Sequence, residues 1–368
     1  MTAGRPPVPA YIQKIAPYVP GKPIETLERE YGITDSIKLA SNENPLGPSP
    51  KALAAIARDV DKLHRYPDGA GHTLVHALAE HLNVLPEQIL PGNGSDDLLG
   101  MLARVLLQPG DEVVIPDPSF LMYTIVAQSA GAVTVNVPLK DLAMDLPAML
   151  SCVGPRTRMV FICQPNNPTA TVVGRAAFEN FLSALPEQVV VVVDEAYFEF
   201  VRDTDCACGL HYLDATPSVV TLRTFSKAYG LAGLRVGYGV MPAQLVQWLQ
   251  RVRMPFNVNS LAQSGAVAAL SDTAFLARTL DVVHGGLDFF YRELTRRGIP
   301  YFPSQANFFL IDVGRPADTV FEALLHQGVI VRSMRAYGFP TYIRVSVGLP
   351  EENQRFLNAL DKVLAEGK

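Results

Sequence analysis

Apolar runs of strand length alternate with stretches of helical spacing through the middle of this chain. Residues 112–115, 133–137, 159–163, 189–193, 219–222 and 236–241 are runs of the first kind, and 74–82, 96–107, 176–185 and 244–253 are of the second. Such alternation predicts an α/β unit with a mainly parallel sheet. Helical spacing then dominates from 260 to 297. The tail adds strand-like runs at 308–313, 329–332 and 343–347 between helices at 319–327 and 351–365, a mixture that fits a smaller α+β unit. Prolines at 6, 7, 9, 17, 20 and 23 interrupt helix near the start. That region reads as an extended arm with one short helix around 24–30. The resulting division is an arm (1–45), a large α/β domain (46–255) and a small α+β domain (256–368).

Composition narrows the picture. The 368 residues are 48% hydrophobic, more than one typical domain of ~100–200 residues needs. A net charge of -5 gives no reason to expect nucleic acid or a membrane surface as partner. The proline-rich start lacks the apolar core of an export signal, and the four cysteines (152, 163, 206 and 208) read as reduced thiols in a cytoplasmic protein. His72 and His76 stand four apart, but Thr73 occupies the glutamate position of a zinc-protease motif, and no metal site is expected.

Four segments carry candidate chemistry. Thr224-Phe225-Ser226-Lys227-Ala228-Tyr229-Gly230 follows an apolar strand. A lysine held there among small residues can be desolvated, which lowers its pKa and frees the amine to attack a carbonyl. Ser226 and Arg235 suit a phosphate. Alone, the segment reads equally as a surface turn. The run 189–193 ends abruptly in Asp194-Glu195-Ala196-Tyr197. A carboxylate there sits where open α/β sheets bind ligands, although an Asp capping the next helix fits as well. Asn167, in Asn166-Asn167-Pro168-Thr169, could offer its amide to a phenolic oxygen. Finally, Gly92-Asn93-Gly94-Ser95-Asp96 opens a helix whose N–H groups can face an anion, without matching a dinucleotide fingerprint or a P-loop.

In this order, and with Pro17–Pro23, Leu39–Gly47, Tyr66-Pro67-Asp68 and Tyr342–Gly348, these segments resemble the histidinol-phosphate aminotransferase family of fold-type I pyridoxal-phosphate (PLP) enzymes. The resemblance implies a homodimer that moves an amino group between L-histidinol phosphate and 2-oxoglutarate. Lys227 would hold PLP as a Schiff base, and Asp194 would pair with the ring nitrogen. Asn167 and Tyr197 would meet the phenolic oxygen, and Phe120 would stack on the ring. Gly94, Ser95, Ser226 and Arg235 would grip the phosphate with Asp96 close by, and Tyr66 would reach the neighbouring subunit's cofactor. Tyr18, Asn44, Arg332 and Arg344 would bind substrate, with Arg335 an alternative to Arg332. An aromatic amino-acid aminotransferase and a PLP decarboxylase of a phosphorylated amino acid share the scaffold. Ala170 replaces a glycine frequent in the family, which implies a turn that does not demand a glycine-only conformation.

Overall fold

A computed structural model describes residues 7–18 and 24–366. Most of the Pro17–Pro23 landmark (residues 19–23) therefore lies outside the described residues. The arm carries a single helical turn at Ala10–Gln13, a helix at Ile24–Tyr31 and a two-residue strand, β1 (Ile37–Lys38).

The main sheet has seven strands: β2 (Ile89–Gly92), β3 (Glu112–Asp117), β4 (Val133–Pro138), β5 (Thr157–Cys163), β6 (Val190–Asp194), β7 (Val219–Thr224) and β8 (Gly237–Val240). Their order is β2-β8-β7-β6-β5-β3-β4. Only β8 runs against its neighbours, pairing antiparallel with β2 and β7. The valine run of β6 is apolar on both faces because helices cover an interior parallel strand on both sides. Strand β2 is not apparent in the sequence, because Pro91 and Gly92 read as loop. Its place at the sheet edge tolerates a proline that a central strand would reject. Helices at Pro50–Asp59, Met122–Ser129 and Leu146–Ser151 are further additions to the sequence reading.

Two helices, Ser260–Leu270 and Thr273–Arg297, lead out of this unit, the second ending on Gly298 in the left-handed conformation. The C-terminal part contributes β9 (Tyr301–Phe302), β10 (Phe308–Asp312), β11 (Val329–Ile330), β12 (Arg332–Ser333) and β13 (Tyr342–Ser346). Strands β12-β13-β10-β9 form an antiparallel sheet, while β11 pairs in parallel with β1 of the arm. The run 329–332 is thus not one strand: it leaves β1 and joins β13, which puts Arg332 directly opposite Arg344. One continuous apolar core, including Ile37, Leu74, Phe225, Phe290 and Phe308, links arm, main sheet and C-terminal part. It fixes the arginines relative to the ends of β5, β6 and β7.

Candidate active site

The carboxyl ends of β5, β6 and β7 open into a cavity of about 240 Å³. Tyr18, Ser95, Asp96, Phe120, Asn167, Asp194, Tyr197, Ser226, Lys227, Arg235, Arg332 and Arg344 all line it. The cavity therefore joins the end of the parallel sheet to the arginines of the C-terminal sheet.

Lys227 sits in the loop after β7, and its ammonium donates to the Ser41 carbonyl at 3.1 Å. Burial, and after it the nearby charge of Arg344, pull its pKa down to about 8. A substantial neutral fraction at physiological pH makes it competent as nucleophile and base. The loop is clamped from behind. At Gly230 (φ 69°) a Cβ would come within 2.0 Å of the Gly47 carbonyl oxygen, so only glycine fits.

Asp194 ends β6, fully inside the protein. It accepts from the Tyr123 hydroxyl at 2.7 Å and from the Ala196 amide at 3.2 Å. Both donors are neutral, and burial pushes the carboxyl up to about 6. A cation facing it would restore the charge. Tyr123 is a functional residue that the sequence reading missed: it is wholly buried, stacked on Phe161 with centroids 4.3 Å apart, and edge-on to Phe120.

The anion end is built at the start of the helix Ser95–Leu106. Gly94 caps it with φ 79°, and a Cβ there would meet the Arg235 guanidinium at 2.6 Å. Gly94 itself is buried behind Ser95 rather than lining the cavity. The Arg235 guanidinium lies 3.4 Å from the Ser226 hydroxyl and 3.5 Å from Asp96. Helix N–H groups, two hydroxyls and a guanidinium form a donor set matched to a phosphate.

Across the cavity, Arg344 is buried and donates to the Asn167 side-chain oxygen and, at 2.8 Å, to the Ala40 carbonyl. Its Nε has no partner among the described residues. Burial and the charge of Arg332 both weaken its hold on a proton. In register, Arg332 and Arg344 are directly paired across β12 and β13. Like charges directly opposite are unfavourable unless something negative lies between them.

Two expectations need correction. Asn44 does not line the cavity: its amide donates to the Ala228 carbonyl at 2.9 Å and to Thr279 at 3.1 Å, which fastens the lysine loop. Asn42, two residues earlier, lines it instead and donates to the Tyr197 hydroxyl at 3.0 Å. Its positive φ of 55°, uncommon outside glycine, turns the side chain inward. Arg335 is no alternative to Arg332, since it is held by Asp318 at 2.8 Å outside the cavity. At Ala170 the turn takes the left-handed conformation (φ 59°), which is not restricted to glycine but costs another residue roughly 1–2 kcal/mol. The fold imposes it through the Ala170 amide on the Asn166 carbonyl at 2.6 Å and the Gln305 amide on the Ala170 carbonyl at 2.9 Å.

Tyr66 does not line its own chain's cavity. It is 83% exposed and stacks on Phe256 with centroids 4.7 Å apart. All four cysteines are free, with Cys163 buried against the cavity and its thiol pushed up to about 12 by burial. No helix among the described residues is long and apolar enough to cross a membrane.

Comparison with known proteins supplies independent information. The family model described as "Aminotransferase class I and II" matches residues 34–360. Histidinol-phosphate aminotransferase of Moorella thermoacetica is 48% identical over 355 residues, 96% of this chain and 92% of that protein. Histidinol-phosphate aminotransferase 2 of Pseudomonas fluorescens is 49% identical over 358 residues, 97% of each. The solved structure of histidinol-phosphate aminotransferase from Sinorhizobium meliloti in complex with pyridoxal-5'-phosphate superposes with a TM-score of 0.91 at 29% identity, covering 100% of both chains.

Proposed function

The chain belongs to the histidinol-phosphate aminotransferase family of class I and II aminotransferases, and from that premise we propose that it exchanges an amino group between L-histidinol phosphate and 2-oxoglutarate on PLP. The observation that carries the substrate assignment is the cross-strand pair Arg332 and Arg344 inside the cavity. A phosphate monoester brings about -1.5 to -2 charge and three acceptor oxygens to that pair. A lone carboxylate brings one charge and leaves part of the site uncompensated, which is costly when buried. A second carboxylate lets 2-oxoglutarate satisfy the same pair.

The residues present fit PLP. Ser95, Ser226 and Arg235 would hold its phosphate, Asn167 and Tyr197 its phenolic oxygen, and Phe120 its ring face. Asp194 is a buried carboxylate whose neutral partners leave room for a cation. When bound, PLP supplies a carbonyl for the amino group and an electron sink for the charge developing at the substrate α-carbon. Lys227 takes the proton from that carbon and later returns one, as its lowered pKa permits. Asp194 keeps the ring nitrogen protonated, and Tyr123 holds the Asp194 carboxylate in place. Arg332 and Arg344 orient each substrate in turn, so one site serves both and kinetics are ping-pong.

Arg332→Ala should lower kcat/KM for histidinol phosphate roughly 10–100-fold, the value of a hydrogen bond to a charged group. For phenylalanine the loss should be much smaller. Equal losses for both substrates would remove the phosphate assignment. The same panel separates the decarboxylase alternative, which would release CO2 without an oxo-acid acceptor.

The reading includes a homodimer in the cytoplasm, with Tyr66 serving the partner's site. An exposed, stacked aromatic pair supports it: Phe256 holds a left-handed φ of 57°, unusual for a bulky residue, and Leu53, Leu63 and Met254 are also exposed. Mixing Tyr66→Ala with Lys227→Ala subunits should restore activity, because one site of each heterodimer then carries neither defect. No recovery despite verified subunit exchange would place both residues in one subunit's site.

A further inference from the structure

Tyr337 lies on the short helical turn Arg335–Tyr337 between β12 and β13, and none of the sequence motifs points to it. Gly338, left-handed at φ 81°, ends that turn, and Arg335 is anchored outside by Asp318. The tyrosine ring packs with Leu310 and Met334 in a small apolar cluster and is only 9% exposed. Its ring is therefore fixed, and the residue lines the cavity alongside Tyr18, Arg332 and Arg344.

Burial raises the pKa of the hydroxyl, while the charges of Arg344 and Arg332, which line the same cavity, pull the other way. A guanidinium has donors only, so toward either arginine the Tyr337 oxygen can act only as an acceptor. The hydroxyl keeps its own proton to give. Tyr337 lines the same cavity as both guanidiniums, where an anion held between them would lie. Two guanidiniums and one neutral hydroxyl suit a tetrahedral phosphate better than a planar carboxylate, which has only two oxygens to offer.

We propose that Tyr337 is a specificity-determining residue, its hydroxyl donating to the phosphate oxygen that the Arg332–Arg344 pair leaves uncovered. This rests on the phosphomonoester reading of the site and assigns a residue to it. A neutral donor adds no charge, so it discriminates by the number and direction of acceptor oxygens. The arginines, by contrast, attract any anion.

The test is Tyr337→Phe, which keeps the packed ring and removes only the hydroxyl. With 2-oxoglutarate saturating, KM for histidinol phosphate should rise about tenfold or more, with kcat nearly unchanged. Inorganic phosphate should weaken as a competitive inhibitor in parallel. The value of kcat/KM for phenylalanine should move less than about threefold. Equal losses for both amino donors would show that the hydroxyl merely props Arg332 and would overturn the proposal. Unchanged KM and unchanged phosphate inhibition would overturn it too. A wild type that ignores histidinol phosphate would sink the parent reading, and this one with it. A wild type that prefers it while Tyr337→Phe behaves identically would sink this one alone.

Discussion

Lys227→Ala will lose amino transfer, with kcat down by at least roughly 10⁴-fold, the upper range for a positioned acid–base group. Its Nζ makes one hydrogen bond, to Ser41, so the fold should survive the truncation with little change in Tm. The loss follows from two roles in one atom. In the proposed reaction Nζ would be both the nucleophile that attaches the cofactor and the base that moves the substrate proton, and burial, with Arg344 nearby, suits it to both by lowering its pKa to about 8. Borohydride treatment of the yellow wild type should fix the cofactor covalently on Lys227. Peptide mapping that finds it on another lysine would defeat the assignment.

Asp194→Asn should cut kcat by about 10²–10³, the usual loss when one group aimed at a developing charge is removed. The amide is nearly isosteric and can still accept from Tyr123, but it has no charge to hold a proton on the ring nitrogen. PLP should stay bound, since Ser95, Ser226 and Arg235 grip the other end. The pH dependence has a definite sign. With its carboxyl raised to about 6, Asp194 is charged above that value and neutral below it in the cofactor-free protein. Wild-type affinity for PLP should therefore fall as pH drops through about 6, while the Asn variant shows no such step. Near-normal kcat in Asp194→Asn would remove the electron-sink role.

What the sequence made legible has a common cause. Asp194 closes the valine run of β6, while Lys227 and Asn167 lie in the short turns just past β7 and β5, and polar residues at the end of such strands sit at the sheet's carboxyl edge. Local signals of this kind survive without a structure. The contact of Tyr123 with Asp194 does not, because it joins residues 71 apart and an inward tyrosine on a helix looks like ordinary core. Asn42 and Asn44 differ by two positions in one motif. Asn42, with its left-handed backbone, enters the cavity, while Asn44 clamps the lysine loop, a difference their spacing alone does not reveal. The choice between Arg332 and Arg335 turned on a break between β11 and β12 that an apolar run conceals. At Ala170 the side chain limits the turn to conformations a non-glycine residue can adopt, and tertiary hydrogen bonds select the left-handed one against a local preference of about 1–2 kcal/mol.

The central claim is that two facing arginines make this cavity a site for a phosphorylated amino donor. Its most direct test is kcat/KM of the purified wild type for histidinol phosphate, histidinol, phenylalanine and tyrosine, each with 2-oxoglutarate as acceptor. Histidinol phosphate should be used far better than the other three, histidinol included, since only the phosphate distinguishes those two. A higher kcat/KM for phenylalanine or tyrosine would contradict the account and make the protein an aromatic amino-acid aminotransferase.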